Sequence, residues 1–149
     1  MDETVLAYAV EVGNPDVRAI LRWLADNGFD LTAARGGRHE SFGNIQLVFR
    51  GPAKVEILRD RLQWDVRVGP ADGTRLWALS VLTAARDGRV WEYPQLADDE
   101  MPMQLPPGLA WHDELPSVIR WLQEPDSAQR VDATDAAARE GMRRRLGSW

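Results

Sequence analysis

The sequence predicts an α+β fold. It reads as a single domain in which helices pack on one face of an antiparallel β-meander spanning about residues 42–69. Three observations lead there. Residues 42–69 alternate apolar and polar side chains at period two, which marks strands with one covered and one wet face. Gly51-Pro52 and Arg59-Asp60-Arg61 break that run into three strands, and connections so short make neighbours antiparallel. Apolar residues at helical spacing recur on both sides of the meander. A chain of 149 residues holds one domain's worth of core. Its expected division is a compact part over residues 1–125 and a loosely docked helix or tail over 126–149.

The elements follow in order. Leu6, Tyr8, Val10 and Val12 alternate, which predicts a strand over residues 4–12, although the alanines there would also suit a helix. Residues 15–27 read as a helix. Asn14 is a good N-cap, Pro15 suits the first helical position, and Gly28 suits a left-handed C-cap. Val17, Ile20, Leu21, Leu24 and Ala25 make one apolar stripe. In the meander, Ile45, Leu47, Phe49, Val55, Ile57, Trp64, Val66 and Val68 should share the covered face. Gln46, Arg50, Glu56, Asp65 and Arg67 should lie on the other. A second helix is expected over 75–86, closed by Asp87-Gly88, and a third over 114–124, stopped by Pro125. Residues 132–146 have high helix propensity and few apolar side chains.

Composition excludes several classes of function. There is no cysteine, hence no disulfide, thiol nucleophile or cysteine-built zinc site. His39 and His112 are the two histidines, so no metal and no cofactor are expected. No apolar run approaches the length of a membrane span, and the acidic Met-Asp-Glu-Thr start is unlike a signal peptide, so a cytoplasmic location and no membrane partner are expected. The net charge is −5, against the basic face of a nucleic-acid binder, so no nucleic-acid partner is expected. The bases are 17 arginines and Lys54, a bias common in GC-rich genomes.

Catalytic motifs are equally sparse. Gly36-Gly37 lacks the ending of a phosphate loop, and His39-Glu40 lacks the second histidine of a zinc-protease helix. Trp111-His112-Asp113-Glu114 is the one local acid–base cluster. Its simpler reading is a surface histidine beside a helix cap, Asp113 or Glu114. No catalytic residue is assigned.

The stretch from Val55 to Gly69 carries Asp60-Arg61-Leu62-Gln63-Trp64 between two strands, with Trp77 in the helix expected to follow. It resembles a pattern in small actinobacterial proteins that look like immunity proteins of polymorphic toxin systems. That pattern is a strand, Asp-Arg-Gly-Gln-Trp, a second strand, and a helix carrying Trp. Leu62 stands here in place of the glycine. The resemblance covers about residues 42–88, roughly a third of the chain. It implies a hairpin whose Trp64 packs inward while Asp60 and Arg61 fix the turn. It also implies a small non-enzymatic protein that binds a cognate toxin and occludes its active site.

The expected contact surface follows from charge. No lysine or arginine lies between Val90 and Ile119, a stretch that holds Glu92, Asp98, Asp99, Glu100, Asp113 and Glu114. With Tyr93, Met101 and Trp111 as adaptable or rigid anchors, it is the expected partner-binding surface for a toxin with a basic cleft. The competing expectation is a secretion chaperone or regulatory adaptor, which would expose an apolar groove instead.

Overall fold

A computed structural model describes residues 3–39, 43–61, 63–91, 105 and 109–147. Its elements run α1 (Glu3–Val12), α2 (Pro15–Asp26), β1 (Asp30–Gly36), β2 (Ile45–Arg50), β3 (Ala53–Asp60) and β4 (Gln63–Pro70). Then come β5 (Trp77–Ala78), α3 (Leu79–Asp87), α4 (Trp111–Trp121) and α5 (Ser127–Gly147). The five strands form one antiparallel meander in sequence order, β1-β2-β3-β4-β5. No described helix is long and apolar enough to cross a membrane.

The register places Leu47 opposite Ile57 and Ile57 opposite Val66. Phe49, Val55, Val68 and Trp77 form the next row of the same face. All eight residues expected on the covered face are buried. They meet Val17, Ile20, Leu21 and Leu24 of α2, Leu79 and Leu82 of α3, and Leu115, Val118 and Ile119 of α4 in one core. The helix α2 forms as its sequence dictates. Asn14 Oδ1 accepts from Val17 N at 2.9 Å, and Gly28 takes φ +79° so that Phe29 N donates to Leu24 O at 3.2 Å.

Several elements differ from expectation. Residues 4–12 are helix, not strand. Val5 and Ala9, one helical turn apart, are buried, with Leu6, Tyr8 and Val12 packed beside them. Val10, which the alternation had set among the inward residues, is exposed. The helix expected from residue 75 begins at Leu79, because Trp77 and Ala78 first pair with Val68 and Arg67 of β4. The helix expected over 114–124 spans Trp111–Trp121, with Ala110 as its N-cap. Asp113 and Glu114 therefore sit inside its first turn and do not cap it. Strand β1, which carries no alternating signal, is a further finding.

Helix α5 runs to Gly147. Its first half is anchored on the body. Val131 is fully buried, Arg130 Nη2 donates to Ala85 O and Arg86 O at 3.0 and 3.2 Å, and Arg75 clamps Asp132 with both nitrogens. Beyond Ala138 no residue of the helix is buried. Pairs one turn apart, such as Asp135–Arg139 and Glu140–Arg144, support that outer half.

Candidate functional site

The nine residues expected at a partner surface divide three ways. Glu92, Tyr93, Asp98, Asp99, Glu100 and Met101 lie outside the described residues. Trp111 and Glu114 are core residues, 5% and 8% exposed, and this corrects their assignment as contact residues. Trp111 joins the main core from the first turn of α4. Glu114 points to α3, where Arg86 Nη2 stands 2.5 Å from its Oε2. That pair, half-buried at Arg86 and buried at Glu114, ties α3 to α4 and draws the carboxylate inward. Asp113, with a side chain 76% exposed, alone keeps the expected character, beside the exposed His112 at 3.8 Å. Among the described residues, no three histidine or acidic side chains converge as a metal site.

In the segment that carried the resemblance, Trp77 lies in strand β5 paired with Val68, and not in a helix as the resemblance implied. Trp64 packs inward. Arg61 takes φ +52°, a left-handed conformation unusual for a non-glycine residue. Asn44 holds that turn from β2's entry: its Oδ1 accepts from Arg61 N at 3.1 Å and its Nδ2 donates to Asp60 Oδ1 at 3.3 Å.

Arg59, expected in that turn, instead belongs to β3 and faces the core between Ile45 and Trp64, 8% exposed. Its Nη1 donates to Tyr8 Oη at 3.1 Å and to Gly43 O at 3.2 Å. Its guanidinium also lies within 6.0 Å of the Tyr8 ring and 5.9 Å of the Trp64 ring. Arg38 approaches the Tyr8 ring at 5.2 Å and pairs with Glu11 at 2.5 Å. That hydrogen bond with Arg38 holds the Glu11 carboxyl below its ordinary range. Tyr8, Glu11 and Arg38 border a groove of about 410 Å³ between α1 and the end of β1, lined also by Val5, Gly36 and His39.

The opposite face of the sheet has a different character. Its rows are Arg35–Gln46–Leu58–Asp65 and Ala33–Val48–Glu56–Arg67, with Arg50 and Lys54 beyond. The core takes none of these side chains. Val48 and Leu58 are half-buried by their neighbours on the sheet. Arg50 and Lys54 lean over the β4–β5 turn, where a β-carbon on Gly73 would lie 2.9 Å from the Arg50 guanidinium. Arg67 Nε reaches Asp65 Oδ2 at 3.4 Å. Burial pushes the Asp65 carboxyl above its ordinary range and the charge of Glu56 adds to that, while Arg67 opposes it. The arrangement is a sheet face on which half-buried Val48 and Leu58 stand among charges of both signs. Sequence reasoning had placed Gln46, Arg50, Glu56, Asp65 and Arg67 on this face by alternation alone.

No model of a known family, no curated protein and no solved structure matches the chain.

Proposed function

We propose that the chain is an immunity-type inhibitor that acts in the cytoplasm, binds a cognate toxin protein and occludes its active site. The observation that carries this reading is the open face of the meander. Four neighbouring strands, β1 to β4, present alternate side chains away from the core, and hydrogen-bonded strands hold such a surface without ordering cost at the moment of binding. Half-buried Val48 and Leu58 set among charges of both signs offer apolar contact area together with polar specificity, as protein interfaces do. The hairpin of Asp60, Arg61, Gln63 and Trp64 supports the same reading through its resemblance to immunity proteins. The acidic stretch from Val90 to Ile119 adds attraction to a basic cleft and speeds encounter. No catalytic step, cofactor or nucleic-acid partner belongs to this function.

One observation favours the adaptor reading. Met142 and Leu146 stand exposed on the outer half of α5, where a second partner helix would cover them.

The test is growth. A toxin-domain gene beside the gene for this chain should arrest cells when expressed alone. Co-expression of this chain should restore growth, and the two proteins should co-purify as a stable complex. Arrest without rescue, or the lack of any toxin-domain neighbour, would sink the immunity reading.

A further inference from the structure

We propose that the free edge of strand β1 pairs with the same edge of a second copy of this chain, the two strands antiparallel, with Asp30 of each copy opposite Arg35 of the other. The proposal goes beyond the toxin reading and does not depend on it.

The five strands follow one another in sequence order, so β1 and β5 are the two edges of the sheet. An edge strand presents a row of backbone N–H and C=O groups that its own ladder leaves unpaired, which is a template for another strand. The β5 edge is protected by its shortness: the strand has two residues and leads straight into α3. The β1 edge is seven residues long, with β2 on one side and no strand of the described residues on the other. No residue of β1 is buried.

The side chains of β1 select the partner. Asp30 pairs with Arg50 in the ladder and Arg35 with Gln46, so both belong to the open face, one towards each end of the strand. Leu31 pairs with Phe49 and Ala34 with Leu47, so these two belong to the core face, where they are only partly buried. Among the described residues, neither Asp30 nor Arg35 has a hydrogen bond or an ion pair.

A strand with an acid at one end and a base at the other complements itself when turned end for end. Setting Asp30 against Arg35 of the second copy also sets Leu31 against Ala34 and Thr32 against Ala33. Two-fold symmetry makes each of these contacts twice. Opposed residues on antiparallel strands share a face, so the charges meet on the open side while Leu31 and Ala34 cover each other on the core side. A slip of one residue would set core-facing side chains against open ones. Parallel pairing in register would bring like charges together. The bulge between Leu31 and Ala33 blunts the edge for strands in general. It lies at the centre of this pairing, so a second copy meets it with the same irregularity.

Sedimentation velocity of the full chain, from about 1 μM to about 1 mM, should show a reversible monomer–dimer equilibrium. Exchange of the backbone amides of residues 30–35 should slow as the dimer forms. Asp30→Arg alone and Arg35→Asp alone each turn two attractive contacts into two repulsive ones, and each should weaken self-association by about tenfold or more. An equimolar mixture of the two variants should associate, because each then carries the charges that the other lacks. Both residues are exposed, so both variants should melt close to the parent chain, which controls for folding. A chain that stays monomeric throughout the series would overturn the proposal. So would a dimer unmoved by either variant, a mixture that fails to associate, or slowed exchange confined to another element such as α5. Protection of residues 30–35 that arises only when a different protein is added would give the edge to that protein's strand and would equally overturn the pairing of two copies.

Discussion

The two faces of the meander are built from the same strands and differ only by which alternate residues they show. The inner face of β2 to β4 is apolar and buried, with Arg59 as a charged residue within it. The outer face is mixed and open, and its central residue, Glu56, is buried as deeply as Arg59. Each face therefore carries one charge at odds with its burial. The protein treats them differently. Arg59 is surrounded by its own chain, with a tyrosine hydroxyl, a backbone carbonyl and two aromatic rings. Glu56 stands directly opposite Arg67, whose Nε reaches Asp65. Among the described residues Arg59 Nε is buried without an acceptor, whereas neither carboxylate oxygen of Glu56 is both buried and unpartnered.

The largest expected effect tests the faces themselves. Leu47→Ala, on the inner face, should lower unfolding stability by about 2–5 kcal/mol, through lost transfer energy and the cavity left behind. Val48→Ala, the next residue and on the other face, should cost about 1 kcal/mol or less, since it is half-buried and outside the core. Urea titrations with unchanged slopes would measure both. Equal costs would mean that the outer face is packed like the inner one and is not open.

That contrast was legible in the sequence, because alternation survives wherever one face is covered and the other is wet. The cap and stripe of α2 were legible for a similar reason, as every local signal there agrees with the packing. What failed was local pattern without tertiary context. The alternation of Leu6, Tyr8, Val10 and Val12 concealed that Ala9, small and weakly hydrophobic, is the residue that lets α1 approach the core. Strand β1 shows a bulge between Leu31 and Ala33 and no fully buried residue, so no period marks it. Trp111 and Glu114 were misread because charge and aromaticity look alike on a surface and in a core. Only the position of Arg86, 28 residues earlier in the chain, explains why Glu114 turns inward. Arg59 left no usable signal, since an arginine beside Asp60 and Arg61 reads as a turn until the register is known.

A smaller effect probes how the inner misfit is accommodated. Tyr8→Phe keeps the ring against Arg59 and Arg38 but removes the hydroxyl that accepts from Arg59 Nη1. Leaving a buried donor short of an acceptor should cost about 1–3 kcal/mol. Arg59→Met removes the charge together with its requirement and should be milder than a removal of partners alone. Differential scanning of the two variants decides the matter. If Tyr8→Phe is silent, the Gly43 carbonyl and the Trp64 ring suffice for Arg59, and the Tyr8 hydroxyl adds nothing to its hold.

The smallest effect concerns the outer face and is read from its dependence on pH. Burial raises the Asp65 carboxyl above its ordinary range in the folded chain, with Glu56 adding to the shift and Arg67 opposing it. The folded state then binds that proton more tightly than the unfolded chain does. Asp65 contributes stability that is fully present below the ordinary aspartate value of about 3.9 and is lost as pH rises through the raised value. Asp87 has the opposite sign. Its hydrogen bond with Arg86 holds its carboxyl low, so its contribution is present above the ordinary value and is lost as pH falls through the lowered one. The two windows meet near the ordinary value and extend in opposite directions. Asp65→Asn should therefore erase a gain in stability seen in the parent chain as pH drops from neutral towards 4. It should leave the loss at lower pH, to which Asp87 contributes, in place. Because the Asp65 side chain is nearly half-exposed, the difference should stay under about 1 kcal/mol and shrink with salt. Unfolding midpoints of the two proteins between pH 7 and pH 3, at low and high salt, measure it. A difference that does not change with pH would show that the Asp65 carboxyl is fully hydrated and that burial does not raise it.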